Sequence, residues 1–91
     1  RSYNEAIVRA ELNDTNVRYF FALTNEQRVG YLKVKLNSNL NNELNGFELE
    51  RIYFLQEAAG RGLGKKLVNH AFMLARQLGR QYVWLNVMDS S

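Results

Sequence analysis

The residues best equipped for chemistry lie between Glu48 and Lys66. Gly60-Arg61-Gly62-Leu63-Gly64 sets three glycines at alternate positions, with Arg61, Lys65 and Lys66 beside them. Glycine lets a backbone come close to a ligand without a Cβ in the way. The apolar positions that follow recur with a helical period, so this turn opens a helix. A helix start offers unpaired N–H groups and the positive end of its dipole. Backbone donors joined by full cationic charges make a cradle for a phosphate or pyrophosphate. Just upstream, Glu48 and Glu50 stand two residues apart in an apolar run. Such carboxylates can take a proton from a substrate, bind a cationic substrate, or only pair with Lys33 or Lys35 on a neighbouring strand.

Two nucleotide motifs fail on spacing. A dinucleotide fingerprint counted from Gly60 needs glycine where Lys65 stands, and an acid roughly 20 residues further on, where Tyr82 to Leu85 lie. A Walker loop needs four residues between its glycines and Ser or Thr after its lysine; Gly60 and Gly64 enclose three, and Lys66 follows Lys65. On spacing alone, two readings stay open: a phosphate cradle, or glycines that only shape a tight turn.

Composition narrows the chemistry. The chain has 91 residues, no cysteine, no proline and one histidine, His70. Cysteine-ligated metals, disulfides and thiol nucleophiles are excluded, and a histidine-based metal site or Ser-His-Asp triad is hard to build. The net charge of +3 is local. Residues 58–80 hold Arg61, Lys65, Lys66, Arg76 and Arg80 and no acid. These charges interleave with Leu67, Val68, Ala71, Phe72, Leu74, Ala75 and Leu78, unlike a basic nucleic-acid tail. Arg76 and Arg80 read as a solvated helix face; Arg61, Lys65 and Lys66 read as facing an anion. With no long apolar run, the chain is expected to be soluble and cytoplasmic. His70 is expected at the surface or at the core boundary. Tyr82 and Trp84 are expected to pack, and Tyr19, Phe20 and Phe21 to serve as core or substrate wall.

The elements that must position these residues follow from periodicity. Ser2 and Glu5 have capping-box spacing, and Tyr3, Ile7 and Ala10 share a helical face, predicting a helix over about residues 3–13. Val17–Thr24 and Val29–Leu36 read as an antiparallel hairpin joined by Asn25-Glu26-Gln27. Residues 37–46 are an asparagine-rich loop. Phe47–Leu55 is a third strand, with Phe47, Leu49, Arg51, Tyr53 and Leu55 on one face and Glu48, Glu50, Ile52 and Phe54 on the other. A helix from about Leu63 to Leu78 ends at Gly79. Tyr82–Met88 is the last strand, parallel to the third through a β-α-β crossover. The fold class is α/β (α+β), in the order helix-β-β-β-helix-β.

Phe47-Glu48-Leu49-Glu50-Arg51-Ile52-Tyr53-Phe54-Leu55 and Gly60-Arg61-Gly62-Leu63-Gly64-Lys65 together resemble motif A of the GNAT superfamily of acetyl-CoA-dependent N-acetyltransferases. The family pattern is Q/R-x-x-G-x-G/A after a strand like E-R-I-Y-V. Gly62 and Gly64 match the signature glycines and Gly60 a common extra one; Ala59 departs from the usual Gln or Arg. The strand is also similar to that of relatives acting on polyamines and other small amines.

The resemblance implies a mixed acyl-CoA N-acyltransferase sheet and direct attack of an amine on acetyl-CoA. It implies that the backbone of Ile52, Tyr53 and Phe54 lines the pantetheine arm, with the Ile52 N–H polarising the acetyl carbonyl. It implies pyrophosphate binding by Gly60, Arg61, Gly62, Leu63, Gly64 and Lys65, and a base at Glu48 or, second, Glu50. The partners implied are acetyl-CoA and a small-molecule or peptide amine, with no metal, nucleic acid or membrane; a homodimer is open. Two alternatives remain: a non-catalytic acyl-CoA-binding module, and a small nucleic-acid-binding domain, against which the glycine spacing argues.

By the same resemblance, the chain is expected to be the mid-section of a single larger domain. The family's first strand and an early helix would precede it. A helix with an acid tyrosine and a closing hairpin would follow it. The 91-residue chain alone is therefore expected to be a poor enzyme. Thiol release from acetyl-CoA, assayed over a panel of amines, checks this; turnover at ordinary enzyme rates would overturn it.

Overall fold

The computed structural model describes residues 4–39 and 45–86. Five strands form one sheet in the order β1-β2-β3-β4-β5. They are β1 (Glu5–Glu11), β2 (Val17–Thr24), β3 (Gln27–Lys35), β4 (Gly46–Phe54) and β5 (Tyr82–Leu85). One helix, α1 (Leu63–Gln77), connects β4 to β5, and a 3₁₀ turn at Gln56–Ala58 precedes it. The first three pairings are antiparallel and β4–β5 is parallel. The class is mixed α+β, as expected.

The first element is a strand, where helical spacing predicts a helix. Ser2 and Tyr3 of that reading lie outside the described residues. From Glu5 to Glu11 the chain pairs with all of β2, from Glu5↔Thr24 to Glu11↔Arg18. The competing principle is tertiary: β-branched Ile7 and Val8 suit a pleated surface, and β2 would otherwise expose a long edge. Glu5, Ile7 and Arg9 lie opposite Thr24, Ala22 and Phe20, and Ile7 packs against the core. The Asp14 carboxylate accepts the Asn16 N–H at 2.8 Å, and the Asp14 carbonyl accepts the Val17 N–H at 3.1 Å, closing the turn into β2.

The β2–β3 hairpin is tighter than its sequence suggests. Thr24 pairs with Gln27, leaving only Asn25 and Glu26 in the turn. Both have positive φ, 51° and 70°, the geometry that matches strand twist in a two-residue hairpin.

The core lies between α1 and one face of the sheet. Leu63, Leu67, Ala71, Leu74 and Ala75 of α1 are buried, at the positions predicted by the helical period. They meet Phe20, Ala22, Leu32, Val34, Phe47 and Leu49. Leu78 is exposed at the helix end. Gly79, at φ 70°, then ends the helix: its N–H reaches the Arg76 carbonyl and that of Arg80 the Ala75 carbonyl, both at 3.0 Å. That pair of bonds is a Schellman motif. Arg80, expected to be solvated, instead donates to the Leu36 carbonyl at 2.7 Å and ties the helix end to the loop.

β4 departs from strict alternation. Val34 pairs with Leu49 but Lys33 with Arg51, so Glu50 is an extra residue, a β-bulge. A bulge exchanges the faces beyond it. Phe47 and Leu49 face the core before it, and Ile52 and Phe54 pack against the core after it. Arg51 and Tyr53 are exposed. The expected grouping of Glu48 and Glu50 with Ile52 and Phe54 is therefore wrong.

Gly30 makes room for this arrangement. A Cβ there would meet the Phe54 ring at 2.3 Å and the Tyr53 carbonyl at 2.7 Å. Gly30→Ala should therefore displace Phe54 and cost about 1–3 kcal/mol, as overpacking does. Urea unfolding measures this; an unchanged midpoint would show that Phe54 does not depend on the gap.

Candidate active site

The glycine turn has the conformation its sequence calls for. Gly60 and Gly62 adopt φ 81° and 75°, the left-handed region. A Cβ on either would meet nothing within 4 Å, so glycine serves the backbone angle here and not close packing. Gly62 caps α1 with no side-chain hydrogen bond, and the first turn carries no acid. The first intrahelical bond runs from the Lys66 N–H to the Gly62 carbonyl at 3.2 Å. The N–H groups of Leu63, Gly64 and Lys65 precede it and are left outside the helical ladder. Gly64 approaches the Phe54 ring, where an added Cβ would stand at 3.4 Å. The end of β4 thus supports the start of α1.

The three cations of the turn separate. Lys65 is exposed and Arg61 half-buried. Lys66, expected to face an anion, forms an ion pair with Glu5 at 3.0 Å. The pairing follows from β1 being a strand, which brings Glu5 beside α1.

Beside the cradle, β4 presents an open edge. Its ladder with β5 runs from Gly46↔Tyr82 to Leu49↔Leu85, and the Asn86 N–H donates to the Leu49 carbonyl at 3.0 Å. Beyond Leu49, β4 has no partner on that side among the described residues. On its other side the Leu55 N–H donates to the Val29 carbonyl at 2.8 Å. In an antiparallel ladder such contacts recur at every second residue. Tyr53 and Arg51 thus direct their backbone groups to β3, while Ile52 and Phe54 direct theirs to the open edge. Of the expected trio Ile52, Tyr53 and Phe54, Tyr53 does not contribute a backbone donor there.

The two glutamates have different surroundings. Glu50 forms ion pairs with Lys33 at 3.3 Å and Lys35 at 4.0 Å. The nearer contact lies off hydrogen-bond geometry, since the same oxygen has no hydrogen-bond partner. Glu48 is only 3 % exposed. It accepts hydrogen bonds from Ser38 Oγ at 2.7 Å and Asn86 Nδ2 at 3.2 Å, both neutral donors. Ser38 and Asn86 were not singled out from the sequence. The sequence carries one signal, the alternation of Asn86 with Tyr82 and Trp84; that Trp84 lies opposite Glu48 is visible only in the sheet.

His70 is exposed, with its ring 6.2 Å from Phe20. Phe20 is core. Tyr19 and Phe21 instead join Tyr31 and Tyr53 in a row of rings spaced 5.8–6.5 Å apart. The half-buried Trp84 donates its indole N–H to the Ser38 carbonyl at 2.9 Å. Among the described residues no group of three or more acidic, histidine or cysteine side chains could hold a metal ion, and no helix is long and apolar enough to cross a membrane.

Comparison with known proteins agrees with this geometry. The acetyltransferase (GNAT) family model matches residues 1–91. The chain belongs to the GNAT acetyltransferase family. An uncharacterized N-acetyltransferase from the pepI 3′ region of Lactobacillus delbrueckii subsp. lactis is 31 % identical over 91 residues, covering 98 % of this chain and 53 % of that protein. The chain thus spans about half the length of that relative. Among solved structures, a ribosomal-protein-alanine N-acetyltransferase from Brucella melitensis biovar Abortus 2308 aligns with TM-score 0.73 at 18 % identity, over 85 % of this chain and 55 % of that one. The aminoglycoside N-acetyltransferase AAC(6′)-Iy, in complex with CoA, aligns with TM-score 0.81 at 14 % identity, over 100 % of this chain and 80 % of that one. At these identities the two structures establish the fold.

The glycine geometry generates a prediction. Because space is open at both left-handed positions, Gly60→Ala and Gly62→Ala should each cost about 1–2 kcal/mol through backbone angle alone. Asparagine, which tolerates that angle, should cost less. Urea titration of the four variants checks this, and equal costs for Ala and Asn would refute it.

Proposed function

We propose that the protein of which this chain forms part is an acetyl-CoA-dependent N-acetyltransferase for a primary amine, on a small molecule or a peptide. The observation that carries the reading is the open β4 edge at Ile52 and Phe54, running into a glycine-rich helix start. That combination fits an extended amide-bearing arm followed by a pyrophosphate, the chemistry of a CoA thioester. The arm adds to the edge as a further strand would, through main-chain hydrogen bonds. N–H groups from Gly60 through Lys65, with the Lys65 charge, take the pyrophosphate. The Ile52 N–H stands at the edge as donor to the thioester carbonyl, where negative charge develops. The CoA complex of the structurally similar AAC(6′)-Iy supports this choice of donor.

Glu48 is the better candidate base. Glu50 is already engaged by two lysines, whereas Glu48 meets only neutral donors. The substrate ammonium gives one proton to Glu48, directly or through one water. The freed amine attacks the thioester carbon; the C–N bond forms and the C–S bond breaks. The second proton leaves the nitrogen for the departing thiolate, and Glu48 returns its own to water. Holding amine and thioester in contact supplies much of the rate.

Calorimetry with acetyl-CoA on the full-length protein tests the cofactor reading, which absence of binding at high micromolar concentration would sink. Glu48→Gln should lower kcat about 100-fold, the scale of general-base catalysis, with KM for acetyl-CoA unchanged. Glu50→Gln should cost less than about tenfold, since its partners are other side chains. Acetyl-CoA binding without thiol release for any amine would leave an acyl-CoA-binding module instead.

A further inference from the structure

Resting on Glu48 as the base, we infer that Ser38 and Asn86 are positioning residues for its carboxylate. They act as a clamp built from the loop before β4 and the end of β5. Each carboxylate oxygen receives one donor, Oε1 from Ser38 Oγ at 2.7 Å and Oε2 from Asn86 Nδ2 at 3.2 Å. Two donors from two different elements fix the plane of the group as well as its place. A base must lie within hydrogen-bond reach of the proton it takes, so a fixed plane is worth rate.

The clamp is itself held. Ser38 donates its N–H to the Gly46 carbonyl at 2.9 Å and accepts the Trp84 indole N–H at 2.9 Å. Gly46 in turn donates its N–H to Asn39 Oδ1 at 3.0 Å. A Cβ on Gly46 would stand 2.3 Å from the Ser38 carbonyl, so only glycine admits Ser38 this close. Asn86 is fixed through its backbone N–H on the Leu49 carbonyl. Ser38 is thus held by two main-chain hydrogen bonds and by the close approach of Gly46. The cluster also lies where the β4–β5 ladder stops, beside the edge that carries the Ile52 N–H.

The test is a double-mutant cycle in the full-length protein, read as kcat and as KM for acetyl-CoA. Ser38→Ala should lower kcat about tenfold with KM unchanged, and Ser38→Thr, which keeps the hydroxyl, should recover most of it. In a Glu48→Gln background, Ser38→Ala should have little further effect, because a residue acting through another is not additive with it. Calorimetric stoichiometry of acetyl-CoA binding counts the folded fraction of each variant. Should Ser38→Ala not fold, Asn86→Ala runs the same cycle. Equal losses with and without the Glu48 carboxylate, or no loss in the wild-type background, would overturn the clamp while leaving the base in place. Full activity of Glu48→Gln alone would instead remove the base, and the clamp with it.

Discussion

The arrangement of β4 depends on what its backbone groups can bond to. A strand inside a sheet must satisfy both edges, and an unmet buried amide or carbonyl is costly. Up to Leu49, β4 is paired with β3 on one side and β5 on the other. Beyond Leu49 the described residues offer a partner on the β3 side only. The bulge at Glu50 sits at this junction. It inserts one residue, exchanges the faces, and turns the Ile52 and Phe54 backbone groups to the side where no described residue pairs. A regular strand would have sent Ile52 and Phe54 side chains to the outer face and left Arg51 facing the core. The bulge thus reconciles a buried apolar strand end with an open main-chain edge.

Close backbone approach then links that edge to the cradle. Gly30 admits the Phe54 ring, and the ring lies against Gly64 in the first turn of α1. Glycine works differently at Gly60 and Gly62, where the surroundings are open and only the left-handed angle excludes other residues. The fold therefore uses glycine for two physical reasons. Some glycines make room for packing and others permit a turn. Together they place the helix start at the end of the strand, with its N–H groups outside the helical ladder.

Much of this was legible in the sequence because it is local. The α1 period, its stop at Gly79, the alternating hairpin strands and the glycine turn are all written within short windows. The first segment was not, because its helical spacing at Ile7 and Ala10 competes with a partner strand seven to nineteen residues away along the chain, a pairing that no window reveals. The bulge was hidden for a similar reason: Phe47 to Leu55 alternates well enough to pass as regular, and the irregularity exists only relative to β3. The same holds for Lys66, whose partner Glu5 becomes available only once the first segment is a strand. Ser38 and Asn86 lie 48 positions apart and meet only across Glu48.

The two glutamates show how the bulge separates similar side chains. Glu50, the bulged residue, faces the lysines of β3, and those contacts are partly exposed, so each contributes little to stability. Glu48 lies one residue before the regular pairing breaks, between β3 and β5, and is almost fully buried. Burial of a carboxylate is tolerable only with hydrogen-bond donors on it, and here they come from a hydroxyl and an amide. Ion pairing to a lysine at that place would have tied the carboxylate to a competing cation. Neutral donors hold its orientation and leave its charge unmatched by any neighbouring side-chain cation among the described contacts. In the proposed reaction, that keeps the carboxylate clear of a competing cation where the substrate ammonium would arrive.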